Sequence, residues 1–154
     1  MNERENKLEE RGYSVADAPK PGGLYTPVVV ADGVAYASGM VPSAAGEVKY
    51  TGKVPSAVSV EDAKKAAELC AANLLRVLAR DLGSLDRIER LLKITGFVNS
   101  DADFTEQHVV MNGASQLLID ILGDAGHHAR SAVGMANLPL GATVEVELIL
   151  KVSD

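Results

Sequence analysis

The chain has 154 residues, a formal net charge of −6 and 47% apolar residues, but only 4% aromatic residues and no Trp. There is room for one domain with a core of Ala, Val, Leu and Ile, not for a large aromatic-lined cofactor cavity. No apolar run reaches the roughly 18 residues that span a bilayer, the charged start MNERENKLEERGY reads as no secretory signal, and the acidic balance argues against a nucleic-acid-coating role. A single cysteine, Cys70, leaves no internal disulfide, and the expected compartment is the reducing cytoplasm.

Residues 3–11 alternate acidic and basic side chains around Leu8, which predicts a short surface helix stopped by Gly12. The stretch 18–23 (APKPGG) is too broken by Pro and Gly for regular structure. Residues 1–23 therefore read as a helix-and-linker extension, and 24–154 as the domain proper. LYTPVVV and VAYASGMV flank Asp32-Gly33, a pair suited to the positive φ values of a type I′ turn, so a hairpin is expected from Leu24. Residues 43–58 read as a loop with a short strand near Val48.

Ser59-Val-Glu-Asp62 resembles a capping box. Ala63, Ala66, Ala67, Cys70, Leu74, Val77 and Leu78 then recur at helical spacing until Gly83. Residues 88–98 (IERLLKITGFV) predict a core strand. Asp101 or Asp103 is expected to cap a second long helix, which runs through Leu122 to Gly123. Two further strands, 131–137 and 143–152, are expected to be joined by an LPLG turn.

The order β-β-α-β-α-β-β is an α+β pattern with two helices packed on one sheet face. In the last strand Val144, Val146, Leu148 and Leu150 point one way, whereas Thr143, Glu145, Glu147, Ile149 and Lys151 point the other. The aliphatic side should meet the helices. No helix remains for the mixed side, so it lies open to water or is covered by another subunit.

Among groups that could carry chemistry, Arg130 stands in an apolar, small-residue context (ARSAVGM). It either clamps a carboxylate with two parallel hydrogen bonds or pairs with a surface acid. Glu145, flanked by valines, is either a desolvated carboxylate suited to handling a proton or part of a solvated sheet face. Glu147 has the same orientation, and spacing does not rank the two. His127 and His128 are adjacent on an irregular segment with no evident third ligand, so no metal site is expected. Cys70 falls on the apolar stripe of its helix and reads as an inert core thiol. Ser38 before Gly39 lacks a nucleophile elbow, although that strand end could offer N–H groups to an anion.

Three segments, ARSAVGMANLPLGATVEVELI, SGMVP and KITGFVNSDADF, resemble the Rid family, also called the YjgF or L-PSP family of imine deaminases. The resemblance covers about residues 24–152. The longer N-terminus and the NGASQLL helix resemble a longer-form branch. The family implies a chorismate-mutase-like fold of the bacillus type, assembled as a homotrimer with sites between neighbouring subunits. It also implies hydrolysis of reactive 2-imino acids of the 2-aminoacrylate kind to 2-keto acids and ammonia, with no metal, nucleotide or flavin.

Family roles transfer by position. Arg130 matches the arginine that anchors the substrate carboxylate, and Glu145 the glutamate that holds the attacking water. Tyr25 matches the tyrosine closing the pocket, Ser38 and Gly39 the segment lining it, and Asn112 the asparagine near the substrate. Ala132 stands where many members have a cysteine, which alters pocket size and polarity. The alternatives are a non-catalytic trimeric sensor or chaperone-like module binding a keto acid, and an endoribonuclease, which the acidic charge disfavours.

Overall fold

The computed structural model of the protein describes residues 2–154. Helix α1 spans Glu3–Glu10, with the Asn2 side chain accepting the Glu5 N–H at 3.0 Å. Two hairpin strands follow, β1 (Val28–Ala31) and β2 (Val34–Met40), turned by Asp32 (φ 52°) and Gly33 (φ 75°). Both turn residues have positive φ, as a type I′ turn demands. The first strand begins later than expected. Residues 24–27 stay irregular because Pro27 has no N–H to give a ladder, and its carbonyl instead receives the Ser38 N–H at 2.8 Å.

A miniature hairpin, β3 (Ser43–Ala44) and β4 (Glu47–Val48), occupies the loop where one short strand was expected. Helix α2 (Val60–Leu82) starts where Ser59 Oγ accepts the Asp62 N–H at 3.2 Å, and it ends on left-handed Gly83. Strand β5 spans Ile88–Asn99, helix α3 Gln107–Leu122, strand β6 Ala129–Met135 and strand β7 Val144–Val152.

Two further expectations, on element boundaries, need correction. Helix α3 is capped by neither Asp101 nor Asp103, and starts only after Glu106. The Asp101 carboxylate is already taken, accepting the Ser56 N–H at 2.8 Å and the Ser56 hydroxyl at 2.9 Å. Strand β6 begins at Ala129 and ends at Met135, two residues earlier than expected at each end, because its parallel ladder with β5 runs from Lys93↔Ala129 to Asn99↔Met135. Arg130 therefore lies inside the strand rather than before it.

The five-stranded sheet has the order β1-β2-β7-β5-β6. Strands β6 and β7 are consecutive in the chain but flank β5, so the LPLG segment crosses over rather than turning a hairpin. Helices α2 and α3 cover one face. Val144, Val146, Leu148 and Leu150 are all buried beneath them, as the period-two pattern requires. The helices cross where a Cβ on Gly113 would stand 2.0 Å from the Lys64 carbonyl oxygen. Met111 fills the space above Gly96 in the same way, its sulfur 2.1 Å from where a Cβ would be. Both glycines are close-approach positions.

Helix α1 joins this layer as a third helix beside α3, with Leu8 fully buried in the common core. Arg4 Nη1 donates to the carbonyls of Leu85 and Ile88 at 2.9 and 2.8 Å. The following segment is held by Arg76 of α2, which donates to the Ser14 carbonyl and to Asn73 Oδ1, both at 2.9 Å, and lies 5.5 Å from the Tyr13 ring centroid. These partners satisfy a guanidinium that is otherwise out of water.

Candidate active site

The residues singled out in the sequence fall into two groups. The first is built on β6 and α3. Arg130 pairs with Ile94 of β5, which pairs with Leu148 of β7, and both of these are buried under the helices. Side chains in one row of a sheet share a face, so Arg130 projects from the outermost strand toward the helix layer. There Nη1 donates to Asn112 Oδ1 at 3.0 Å and to Ser115 Oγ at 3.1 Å, and Nη2 donates to the His108 carbonyl at 3.0 Å.

A guanidinium has five N–H donors in a fixed fork. Nε–H and one Nη2–H of Arg130 have no partner among the described residues. These two donors, on neighbouring nitrogens, are left for an acceptor such as a carboxylate. Ala132 lies two residues along on the same face, beside Gly96 and partly buried against the core. Its methyl leaves that wall of the group small and apolar.

Two residues that the sequence reading did not assign to this group belong to it. Ser115 Oγ lies 2.9 Å from His128 Nε2, and His128 Nδ1 lies 2.6 Å from the Gly126 carbonyl oxygen. A carbonyl only accepts, so Nδ1 carries the proton. Burial, and to a lesser extent the nearby Arg130 charge, holds His128 below the usual histidine range. His128 drew attention in the sequence only as half of a His-His pair. Its real partner is a serine on another element, which no local spacing reveals.

The second group is built on β2 and β7. Glu145 pairs with Phe97, which pairs with Val133, so it points to the uncovered face. Its carboxylate lies over Gly39, where a Cβ would stand 2.6 Å from Glu145 Oε2. The register between β2 and β7 shifts between Ala37 and Met40, which places Ser38 and Gly39 in a bulge. A bulge next to a missing side chain gives the carboxylate its seat. Burial, and secondarily the like charge of Glu147, raise the Glu145 pKa above the ordinary carboxylate value.

Ser38 Oγ donates to the Thr26 carbonyl at 2.9 Å and so ties the bulge to the loop that carries Tyr25. The Tyr25 hydroxyl accepts the Gly22 N–H at 3.2 Å, and the ring is 47% exposed. Lys93 lies on the same open face, with Nζ donating to Ser131 Oγ at 2.9 Å. A lysine amid Leu91, Ile94 and Phe97 could have been flagged in the sequence by the reasoning applied to Glu145.

The two groups do not meet within one chain. Their rows are three residues apart along β7, an odd number, which puts them on opposite faces. They are also separated across the sheet by β5. A surface groove of about 330 Å³ lies between α2 and α3, lined by Glu61, Lys64, Lys65, Glu68, Asn112, Gly113 and Gln116. Of the expected site residues it touches only Asn112. Cys70 is fully buried on α2 with Sγ 3.6 Å from the Val144 carbonyl, and burial pushes its thiol well up.

A mixed five-stranded sheet with its helices on one face defines an α+β protein. The sequence model of the family described as "YjgF/chorismate mutase-like, putative endoribonuclease" matches residues 5–152. Protein TCP17 of Trypanosoma cruzi is 36% identical over 148 residues, covering 96% of this chain and 92% of its own. RutC family protein UK114 of Drosophila melanogaster is 34% identical over 137 residues, covering 88% and 85%. The crystal structure of Atu1372 from Agrobacterium tumefaciens, a protein of unknown function, superposes with a TM-score of 0.89 at 41% identity, covering 97% of this chain and 92% of that one. The chain belongs to the YjgF family, known also as the Rid or L-PSP family.

Proposed function

We propose that the protein hydrolyses small 2-imino acids, with the site completed between neighbouring chains of a homotrimer. The observation that carries this reading is the state of Arg130, held by three acceptors with two donors, on Nε and Nη2, left over. Family membership and the half-buried Glu145 support it. A protonated imine, R–C(=NH2+)–COO−, is already electrophilic at carbon. The enzyme need only bind its carboxylate, place a water and move protons.

Arg130 anchors the carboxylate, and Asn112 fixes the guanidinium. Glu145 accepts a proton from water as its oxygen bonds to the imine carbon, giving a carbinolamine. The same carboxyl returns the proton to nitrogen, the C–N bond breaks to expel ammonia, and the carbinol O–H proton passes through the Glu145 carboxylate to that ammonia, so that the 2-keto acid and ammonium leave. The raised pKa of Glu145 suits a group that both takes and returns a proton. Tyr25, Ser38 and Gly39 line the pocket from the glutamate side, and Ala132 from the arginine side.

Because Arg130 and Glu145 face opposite ways in one chain, a site using both needs the edge of one subunit against the open face of the next. That face exposes Val29 (50%), Tyr36 (50%) and Val133 (41%), apolar area suited to burial between subunits. A ring of three chains of 16.2 kDa has a mass of about 49 kDa. Among the described residues no helix is long and apolar enough to cross a membrane, and we place the activity in the cytoplasm.

The test is keto-acid formation from 2-iminopropionate, generated in situ by oxidation of alanine, with wild type and Arg130→Ala. Acceleration by wild type and none by the variant is the expected result. No acceleration by wild type overturns the deaminase reading. Calorimetric binding of 2-ketobutyrate without turnover would then favour a keto-acid sensor. RNA cleavage that survives purification and vanishes in Arg130→Ala would favour a nuclease.

A further inference from the structure

Arg130 does not set its own orientation. Of the three acceptors around it, the Ser115 hydroxyl is the one whose lone pair is free to rotate. Asn112 offers an amide oxygen and His108 a backbone carbonyl. A serine oxygen is a good acceptor for Arg130 only if its own hydrogen points elsewhere, and His128 Nε2 at 2.9 Å is the group it points to. Nδ1 of His128 donates to the Gly126 carbonyl, which leaves Nε2 as the bare acceptor.

The chain of donors therefore has one consistent direction: Arg130 Nη1–H to Ser115 Oγ, Ser115 O–H to His128 Nε2, and His128 Nδ1–H to Gly126 O. The charged and titratable groups around the ring are Arg130 on β6, His127 beside it, and Arg90 of β5, whose Nε donates to the His127 carbonyl at 3.1 Å. Among the described residues the ring hydrogen-bonds only to Ser115 Oγ and the Gly126 carbonyl, so no second donor competes for Nε2.

We propose that His128 is a positioning residue for Arg130, orienting the Ser115 hydroxyl so that Nη1 is held and the Nε/Nη2 edge stays presented to a carboxylate. This rests on the reading of Arg130 as the carboxylate anchor. The role is to hold the fork at a fixed angle and does not include contact with substrate. Its loss lets the guanidinium rotate about Nε–Cζ and weakens the two-point grip.

The experiment has a ligand-free arm and a binding arm, each on the full-length protein. In the first, ¹⁵N NMR follows rotation of the Arg130 guanidinium. Slow rotation is expected in wild type, fast rotation in His128→Leu and Ser115→Ala, and slow rotation again in His128→Gln, whose amide oxygen can replace Nε2 as acceptor. The imidazole nitrogens should show the Nδ1–H tautomer in wild type. In the second arm, calorimetry with 2-ketobutyrate should give affinity lower by roughly five- to ten-fold in His128→Leu and near wild type in His128→Gln.

Rotation unchanged in His128→Leu, or a glutamine that fails to restore it in a folded protein, overturns the positioning role. Equal affinity across all variants overturns it as well while leaving the anchor intact. If wild type does not bind the keto acid, the anchor reading fails, and with it the carboxylate-presenting part of the proposal. The NMR arm still decides whether His128 holds Arg130.

Discussion

The arginine group and the glutamate group are built in opposite ways. Arg130 sits on the edge strand but turns inward, and three acceptors from α3 hold it. Glu145 sits on a central strand but turns outward, and it is positioned by the absence of a side chain at Gly39 rather than by hydrogen bonds. A permanent cation needs partners to fix its fork. A proton-transfer carboxylate keeps a raised pKa only while it is not strongly hydrogen-bonded. Under the proposed deaminase function the difference is a division of labour, with a rigidly held group for binding and a loosely held one for chemistry on opposite faces of one sheet.

The largest effect expected is that of Arg130→Ala. It should lower kcat/KM for a 2-imino acid by roughly a thousand-fold, since two charge-assisted hydrogen bonds are lost, and steady-state keto-acid release measures it. Glu145→Gln should lower kcat by roughly a hundred-fold with little change in KM, because the carboxylate acts on water rather than on substrate binding. Mixing these two inactive variants, unfolding and refolding them together, should restore about a quarter of wild-type activity if each site draws Arg130 and Glu145 from different chains. No recovery on mixing would mean that Arg130 and Glu145 do not share a site, which would overturn the two-residue mechanism.

Gly39→Ala should cost about ten-fold in kcat while leaving 2-ketobutyrate binding nearly unchanged, because its methyl displaces only the glutamate half. The smallest effect is on pH dependence. Glu145 must be ionised to accept a proton, so kcat/KM falls as pH drops through a pKa that lies above the ordinary Glu value. Glu147→Gln removes the repelling charge and should move that inflection to lower pH, as read from a pH–rate profile. The same raised pKa means that the folded state binds the proton more tightly than the unfolded one. Its contribution to stability is present below the unfolded pKa and lost as pH rises through the folded one. Glu145→Gln should therefore raise Tm at pH 7, measured by calorimetry.

Much of the architecture was legible where the cause is local. The alternation of Val144, Val146, Leu148 and Leu150 against Glu145 and Glu147 needs only the two-residue period of a strand. Ser59 and Gly83 delimit α2 through their own conformational preferences. The start of α3 was not legible, because Asp101 is cap-competent but is drawn off by Ser56, 45 residues away. Leu24 to Thr26 look like strand, yet the Pro27 that follows takes that stretch out of the ladder. Within the candidate site, Arg130 and Glu145 stood out by residue type. Ser115 and His128 did not, because what makes them matter is each other.

By itself the sequence determined the element types, the aliphatic face of β7, the turn at Asp32-Gly33 and the two ionisable groups worth following. These depend on side-chain period and backbone preference, which act over a few residues. Only the tertiary structure decided that Arg130 and Glu145 point to opposite faces and that a histidine and a serine hold the arginine. Strand order and register are set by hydrogen bonds between segments far apart in the chain, and a register, once set, commits every side chain in the row to one face.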